Sequence, residues 1–218
     1  MKALALLLLL PVAAHAESFF QIEAGIGASV IKDMGDGTWI QEGSPNNRER
    51  KTTPALMAGF TGELYRHGDF DVRYHLDYAY MGEFSASVDG VPDSQYDSVH
   101  HVIVGYQGER YSPFSGHGHL QGVPATLDFG YTYKGWRFGI EGGAWTYWQT
   151  WHESLYALDN QWHDLSHKTH AQVSYVVGAS VSHRNLSLSF RHYDVRQSWN
   201  PYPGLATGAN VLMATYRF

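Results

Sequence analysis

Residues 70–82, FDVRYHLDYAYMG, alternate strictly between large apolar side chains and charged or small ones. A period of two residues is that of a β-strand, in which successive side chains point to opposite faces. The apolar face holds Phe70, Val72, Tyr74, Leu76, Tyr78 and Tyr80, and the opposite face begins with Asp71, Arg73, His75 and Asp77. A soluble sheet would bury the first face and leave the second in water. A closed sheet surrounded by lipid would do the reverse, so this strand alone leaves both folds open.

The same alternation recurs along nearly the whole chain. It is found in residues 19–31, 54–64, 125–133, 136–148, 171–181, 186–190 and 209–218. No segment keeps a helical period for longer than one turn. The sequence therefore predicts an all-β fold.

The N-terminus has the layout of a secretory signal peptide. Lys2 precedes an apolar run over residues 3–14, and Ala14-His15-Ala16 is a small-x-small cleavage site. The run is too short for a membrane anchor. We expect residues 1–16 to be removed by cleavage near Ala16. Residues 17–218 would then form the mature chain.

Charge and cysteine content exclude other classes of protein. The formal net charge is −6, and Lys and Arg do not cluster, which argues against a nucleic-acid partner. The chain has no cysteine and so no disulfide framework. After the signal peptide, no segment approaches the roughly 18 apolar residues of a transmembrane helix. A soluble secreted domain and a membrane barrel both fit these features.

Connections of two lengths alternate along the chain. Tight turns are predicted at residues 65–68, 134–135 and 183–185, and long loops at 32–52, 83–122, 149–169 and about 195–208. In an up-and-down sheet this order places the long loops at one end, as in outer-membrane barrels. Aromatic residues near the strand ends resemble the interfacial girdles of such barrels, namely Tyr78, Tyr80, Tyr131, Tyr133, Trp136, Trp145 and Trp148.

We therefore predict an antiparallel up-and-down transmembrane β-barrel of eight strands, with its apolar faces toward lipid and its charged faces inside. A soluble β-sandwich or lipocalin-like barrel is the alternative. The segment SVHHVIVGYQ, from Ser98 to Gln107, alternates well enough to be a further strand. We interpret it as an extra strand within an enlarged second extracellular loop over about residues 83–122, and a ten-stranded barrel is the alternative.

With this order of segments, the chain resembles the small eight-stranded outer-membrane proteins of the OmpX/Ail/Lom and opacity type. The sharpest local matches are ATLDFGYTY (residues 125–133) before a two-residue turn and the terminal YRF. The resemblance implies a place in the bacterial outer membrane, among its lipid and lipopolysaccharide. It also implies that Tyr216 and Phe218 form an assembly signal for the outer-membrane insertion machinery. The implied role is surface interaction, adhesion or surface modification, with an extracellular protein or another surface ligand as partner.

The predicted barrel interior carries charges of both signs. Its members are Glu23, Glu63, Asp71, Arg73, His75, Asp77, Asp128, Arg137, Glu141, Arg191 and Arg217. Because an unpaired buried charge is costly, we expect these side chains to pair with one another. An eight-stranded barrel is just wide enough to be filled by its own side chains. The sequence thus predicts a filled, non-conducting lumen, with a small channel as the alternative.

A second resemblance concerns FRHYDVRQSWNPYPG (residues 190–204), which is similar to a stretch of the outer-membrane lipid A deacylases that holds a catalytic His and, two residues on, a Ser. His192 matches the His, but Asp194 occupies the Ser position. Without a nucleophile, acyl transfer of that kind lacks its covalent route. We predict no catalytic residues, and an enzyme acting on lipid or peptide at the loop rim is the alternative.

Histidines are frequent in the predicted loops, and imidazoles bind zinc and copper. His117 and His119 would share one face of a strand, and His163, His167 and His170 lie close together in the third long loop. Because no cysteine accompanies them, we predict neither a cofactor nor a metal site. These five histidines are the alternative candidates for metal ligands.

Overall fold

The computed structural model describes residues 19–32, 38–40, 44–92, 112–156, 161–196 and 206–218. Within them no helix is long and apolar enough to cross a membrane. The strands are β1 (Gln21–Lys32), β2 (Thr38–Ile40), β3 (Arg48–Arg50), β4 (Thr52–His67), β5 (Phe70–Pro92), β6 (Ser112–Tyr133), β7 (Trp136–Tyr156), β8 (Trp162–Lys168), β9 (Gln172–His183), β10 (Leu186–Asp194) and β11 (Gly208–Arg217). The all-β prediction is confirmed. The expected signal peptide and the segment from Ser98 to Gln107 lie outside the described residues.

Eight of these strands form a closed antiparallel barrel. The ring order is β1, β4, β5, β6, β7, β9, β10 and β11. The pairing of β1 with β11, from Glu23↔Arg217 to Lys32↔Gly208, closes the ring. Each strand lies beside its predecessor in this order, so the up-and-down topology with eight strands is confirmed. In the described part of the chain, no ninth or tenth strand enters the ring.

The barrel wall is apolar on the outside and polar on the inside. On β5, Leu76 and Tyr78 are exposed, whereas Asp71 and Asp77 are buried. The exposed apolar side chains form a belt that runs around all eight strands and includes Ile22, Ile26, Leu56, Phe60, Leu76, Leu127, Phe129, Phe138, Ile140, Val177, Leu188, Phe190 and Leu212. The predicted orientation of the two faces is therefore confirmed.

Three adjacent strands are about twice as long as most others. β5, β6 and β7 contain 23, 22 and 21 residues, whereas β1, β9, β10 and β11 contain 9 to 12. The additional length lies at the end opposite the tight turns. There β2 and β3 pair with β5, and β8 pairs with β7. We call this the extension sheet: β2, β3 and β8 together with residues 83–92, 112–120 and 149–156.

The extension sheet corrects the predicted loops. Residues 83–92 and 112–122, expected within the enlarged second loop, continue β5 and β6. Residues 149–156 continue β7, and β8 lies within the expected third loop. The prediction ended each strand where its outward side chains ceased to be apolar. A sheet that faces water on one side has polar side chains there, so that criterion ended the strands too early.

A β-bulge at Gly82 separates the barrel part of β5 from its part in the extension sheet. The register with β6 shifts between Tyr80 and Glu83, and Gly82 has a φ of 82°. This left-handed backbone favours glycine. A Cβ at Gly82 would lie 2.3 Å from the carbonyl oxygen of Pro54. The bulge also changes the parity of the inward-facing positions of β5. Odd-numbered residues face inward before Gly82, and even-numbered residues do so from Phe84 onward.

Candidate functional site

The barrel interior next to the tight turns holds a group of charged side chains that pair with one another. We call it the charge network, and its members are Glu23, Asp71, His75, Asp77, Asp128, Arg137, Glu141 and Arg191. Arg137 of β7 donates from Nε to Asp71 Oδ1 at 2.6 Å and from Nη1 to Asp128 Oδ2 at 2.8 Å. Ser180 Oγ donates to the same oxygen of Asp128 at 3.1 Å. One guanidinium thus pairs with carboxylates from two neighbouring strands, β5 and β6, away from solvent.

Arg191 of β10 is the centre of a second part of the charge network. Its Nε donates to Glu141 Oε2 at 2.9 Å, and its Nη1 lies 3.3 Å from Asp77 Oδ2. Glu141 also accepts a short hydrogen bond from the hydroxyl of Thr126. Because Glu141 lies on β7 and Asp77 on β5, the second guanidinium links β10 to two other strands of the ring.

His75 lies beside the carboxylates of Glu23 and Asp128. Its Nδ1 is 2.6 Å from Glu23 Oε1, and its Nε2 is 3.8 Å from Asp128 Oδ2. Possible ligand atoms of Glu23, His75 and Asp77 lie within 4.8 Å of one another, a spacing that a metal ion can use. Arg191 already supplies positive charge to Asp77. We therefore interpret these three residues as part of the charge network.

Three of the predicted lumen residues lie closer to the turn end of the barrel. Glu63 accepts a hydrogen bond from Arg66 Nε at 2.9 Å at the rim. Arg217 donates from Nη2 to the carbonyl oxygen of Arg184 at 3.0 Å. Arg73 Nε lies 3.6 Å from Asp71 Oδ2. The structure thus brings most of the predicted charges together and places Glu63 at the edge of the group.

Above the charge network, toward the extension sheet, the interior is apolar. The large side chains that fill it are Phe84, Leu120, Trp145, Tyr147, Trp151, Val176, Tyr193 and Val211. The expectation that Trp145 belongs to an outer aromatic girdle is wrong. Its odd position on β7 places it on the same face as Arg137 and Glu141, and its Nε1 donates to the carbonyl oxygen of Asp194 at 2.8 Å.

A small space remains between the described side chains at the level of the charge network. A cavity of about 20 Å³ lies between the charge network and the serines of β9 and β10. This volume accommodates roughly one water molecule. Polar contacts at one level and apolar packing at the next therefore fill the interior along the described strands.

The outer face of the extension sheet is polar. His117 of β6 and His152 of β7 lie directly opposite each other, with ring centroids 5.5 Å apart. His152 Nδ1 lies 2.7 Å from Ser166 Oγ of β8. Ser154 donates a short hydrogen bond to Asp164, also of β8. These side chains line an open depression of about 520 Å³, which we call the histidine cleft.

His119 lies on the same face of β6 as His117, nearer the barrel. Its Nδ1 is 2.7 Å from the hydroxyl of Tyr80, and its Nε2 is 3.8 Å from Glu83 Oε2. The candidates His163 and His170 are exposed and do not line the histidine cleft. The side chain of His167 lies outside the described part of the chain.

His152 is the histidine of the histidine cleft that the sequence analysis missed. The turn Lys134-Gly135 sets the register Tyr133↔Trp136, which continues without a bulge to His117↔His152. A two-residue turn followed by unbroken alternation on both strands is therefore the signal that could have found this pair.

Residues 44–51 are attached to the edge of the extension sheet. The carboxylate of Asp89 accepts hydrogen bonds from Ser44 Oγ at 2.7 Å and Asn46 Nδ2 at 2.9 Å. These hydrogen bonds lower the pKa of Asp89 below its ordinary value of 3.8. Arg50 forms an ion pair with Glu83 at 2.7 Å. Polar contacts therefore hold β3 against β5.

The remaining sequence candidates lie on the outer wall. Tyr216 and Phe218 are exposed, and their rings form an edge contact with centroids 5.0 Å apart. His192 Nδ1 lies 2.8 Å from Asn210 Oδ1, and its ring lies beside that of Tyr175. Neither of these two contacts brings a serine hydroxyl to His192.

No family model matches the sequence. No curated protein matches it. Among solved structures, Ail, the attachment invasion locus protein of Yersinia pestis, is 15% identical over 91% of this chain and 97% of its own, with a TM-score of 0.41. Neisserial surface protein A is 12% identical over 91% and 95%, with a TM-score of 0.42. The outer membrane protease OmpT from Escherichia coli is 9% identical over 91% and 95%, with a TM-score of 0.47.

Proposed function

We propose that this chain is an integral outer-membrane barrel that presents the extension sheet outside the cell for contact with a surface ligand. The observation that carries the proposal is the belt of exposed apolar side chains around a ring with a charged, filled interior. In water, a belt of this extent would be strongly unfavourable. In a bilayer, lipid solvates the belt, and closure of the ring satisfies the backbone hydrogen bonds.

The height of the belt supports the same proposal. On β5 it extends from Phe70 to Tyr78, and a tilted transmembrane strand needs about 9–11 residues. At the extension end, the rings of Tyr78 and Trp148 lie 6.5 Å apart. At the turn end, Tyr133 and Trp136 are exposed. We infer that these two aromatic levels lie at the membrane–water interfaces.

The proposed assembly route begins with export. A signal peptide at residues 1–16, cleaved near Ala16, would deliver the chain to the periplasm. The insertion machinery would then engage Tyr216 and Phe218 and place the barrel among outer-membrane lipid and lipopolysaccharide. The tight turns would remain on the periplasmic side.

The proposed role is interaction, adhesion or surface modification through the extension sheet, with an extracellular protein or another surface ligand as partner. The filled interior supports a role in display instead of transport. The extension sheet supports it further, because binding surfaces are often held on a rigid scaffold.

Surface labelling tests the orientation. An epitope inserted near Asn46 or Asp159 should be labelled on intact cells, whereas one at His67 should be labelled only after permeabilisation. Labelling at His67 on intact cells would contradict the proposed orientation.

A shortened barrel tests the role of the extension sheet. Residues 84–118 are replaced by Asn-Gly, which joins the cross-strand pair Glu83 and His119 through a hairpin turn. Heat-shifted gel mobility confirms that the variant still forms a barrel. Cells that make the full-length protein should bind immobilised extracellular proteins or host cells more strongly than cells with the shortened form. Equal binding by both would contradict a display role.

A further inference from the structure

Two tight turns place a cation where the backbone favours glycine or asparagine. Lys134 is the first residue of the two-residue turn between β6 and β7, and Arg184 is the first of the turn between β9 and β10. Their φ angles are 50° and 55°, and in the described part of the chain no other non-glycine residue has a positive φ. Asn, Asp and Gly adopt this backbone with less strain. Because such strain is often kept at functional positions, the two outliers point to a role for the cationic side chains.

The two turns lie side by side, because β7 pairs with β9. Trp136 lies opposite His183, and the centroids of their rings are 4.8 Å apart. The Nδ1 atom of His183 lies 2.9 Å from the carbonyl oxygen of Gly135. The cations of both turns are exposed and therefore belong to one surface. We call these two turns, residues 134–135 and 184–185, the basic turn pair.

No carboxylate of the described residues neutralises the basic turn pair. Residues 131–136 and 182–187 contain neither Asp nor Glu. Across the part of the chain that the structure describes, neither Lys134 nor Arg184 forms an ion pair. At the remaining tight turn, by contrast, Arg66 forms an ion pair with the glutamate three residues before it. The basic turn pair can therefore contact an anion outside the chain with two cationic groups.

Exposed aromatic side chains lie next to the basic turn pair. Tyr133 and Trp136 flank the first turn, and Lys134 Nζ lies 5.2 Å from the centroid of the Tyr133 ring. Tyr and Trp on a lipid-facing wall occupy the level of the headgroups. Lys and Arg beside them can keep their apolar stems along the wall and their charges among the phosphates.

We propose that the basic turn pair binds the phosphate group of an anionic phospholipid in the periplasmic leaflet. Lys134 and Arg184 would donate to phosphate oxygens, and a guanidinium can do so with two N–H groups. The left-handed backbone fits this role, because Asn or Gly would relax the turns but would not carry a positive charge to the lipid. The inference rests on the proposed function, which places the tight turns at the periplasmic side of the membrane.

The test measures lipid selectivity of the mature chain folded into vesicles of phosphatidylcholine and phosphatidylglycerol. Electron paramagnetic resonance with spin-labelled lipids should show at least about twofold stronger association of phosphatidylglycerol than of phosphatidylcholine. Lys134→Asn/Arg184→Asn should remove this preference, and high salt should weaken it in the wild type. Lys134→Arg/Arg184→Lys should retain it.

The matched control is Arg48→Asn/Lys51→Asn, which removes the same charge at the extension end of the barrel. It should leave the lipid preference unchanged. A preference that persists in Lys134→Asn/Arg184→Asn would overturn the proposal, and so would an equal loss in the control. Heat-shifted gel mobility shows that each variant forms a barrel.

Stability in an uncharged detergent separates lipid binding from a role in the fold. There the denaturation midpoint of Lys134→Asn/Arg184→Asn should equal or exceed that of the wild type, because Asn tolerates the left-handed backbone. A lower midpoint would assign the cations to the fold and overturn the proposal. If the wild type forms a barrel in vesicles but associates equally with both lipids, this inference alone fails. If it forms a barrel in no vesicle, the proposed function fails as well.

Discussion

Arg191 of β10 and Asp77 of β5 form an ion pair across the full width of the barrel, with Nη1 3.3 Å from Oδ2. Their strands are four places apart in a ring of eight, so the two residues come from opposite walls. The same guanidinium donates to Glu141 of β7 at 2.9 Å. One buried cation therefore ties three walls of the ring together.

Removal of this cation should destabilise the barrel strongly. Arg191→Ala leaves two buried carboxylates without their partner, and such a loss costs about 3–5 kcal/mol. Arg66→Ala, which breaks an exposed ion pair at the rim, should cost under about 1 kcal/mol. Denaturant unfolding in detergent or liposomes, followed by tryptophan fluorescence, measures both changes. Equal losses in the two variants would contradict a central role for Arg191.

The wild-type protein should not conduct ions. In planar bilayers we expect no steady, reproducible conductance, because the charge network and the apolar layer above it fill the lumen. Stable channels whose ion selectivity changes on Asp77→Asn would contradict the filled interior and favour transport.

Gly82→Ala should be much more damaging than Gly142→Ala. A non-glycine residue in the left-handed region costs about 1–3 kcal/mol, and the added methyl group would also meet the carbonyl oxygen of Pro54. At Gly142 an added Cβ meets nothing within 4 Å. The midpoint of unfolding should therefore fall for Gly82→Ala and stay nearly constant for Gly142→Ala. Similar midpoints would show that the bulge tolerates a side chain.

The attachment of residues 44–51 should depend on the ionisation of Asp89. Because hydrogen bonds from Ser44 and Asn46 lower the pKa of the Asp89 carboxyl below 3.8, the contribution of this carboxylate to the attachment is fully present above that pH and is lost as the pH falls through the lowered value. Hydrogen exchange in β3, corrected for intrinsic rates, should rise at low pH. Asp89→Asn should raise exchange already at pH 7 and remove the additional rise in acid. A pH response that persists in Asp89→Asn would assign it to another group.

Deletion of Phe218 should impair assembly more in cells than in vitro. Loss of one large apolar side chain costs roughly 1.5–3 kcal/mol by area, an upper figure here because the ring is 71% exposed. A recognition role predicts an additional defect, with unfolded protein in the periplasm and normal folding in detergent micelles. Heat-shifted gel mobility reports folding in both settings. Normal assembly of the deletion variant in cells would show that Phe218 is only a part of the barrel wall and not an assembly signal.

The two faces of the barrel were predictable because the period of a strand is independent of its surroundings. Leu76 and Asp77 point to opposite sides whether lipid or water lies outside. The ends of the strands were not predictable in this way, because outward polarity changes where the extension sheet begins. The parity change at Gly82 was also hidden, since only the local backbone geometry shows that one residue is unpaired.

The sites were predictable to different degrees. The charge network follows from alternation, because Arg137 and Glu141 must share a face. Which carboxylate each arginine contacts depends on the shear and width of the closed ring. These two properties cannot be predicted from the sequence of a single strand. Trp145 was misplaced because an aromatic residue near a strand end suits both a girdle and a core. Parity decides between the two, and it places Trp145 inside.

The continuous register of β6 and β7, from Phe114↔Leu155 to Tyr133↔Trp136, has a mechanical consequence. The same two strands form both the extension sheet and the barrel wall, so no hinge separates them. A pull on the outer end would load the ladder of hydrogen bonds along the strands, in shear, and would not peel it open one bond at a time. The force would therefore be transmitted along β6 and β7 directly to the barrel wall.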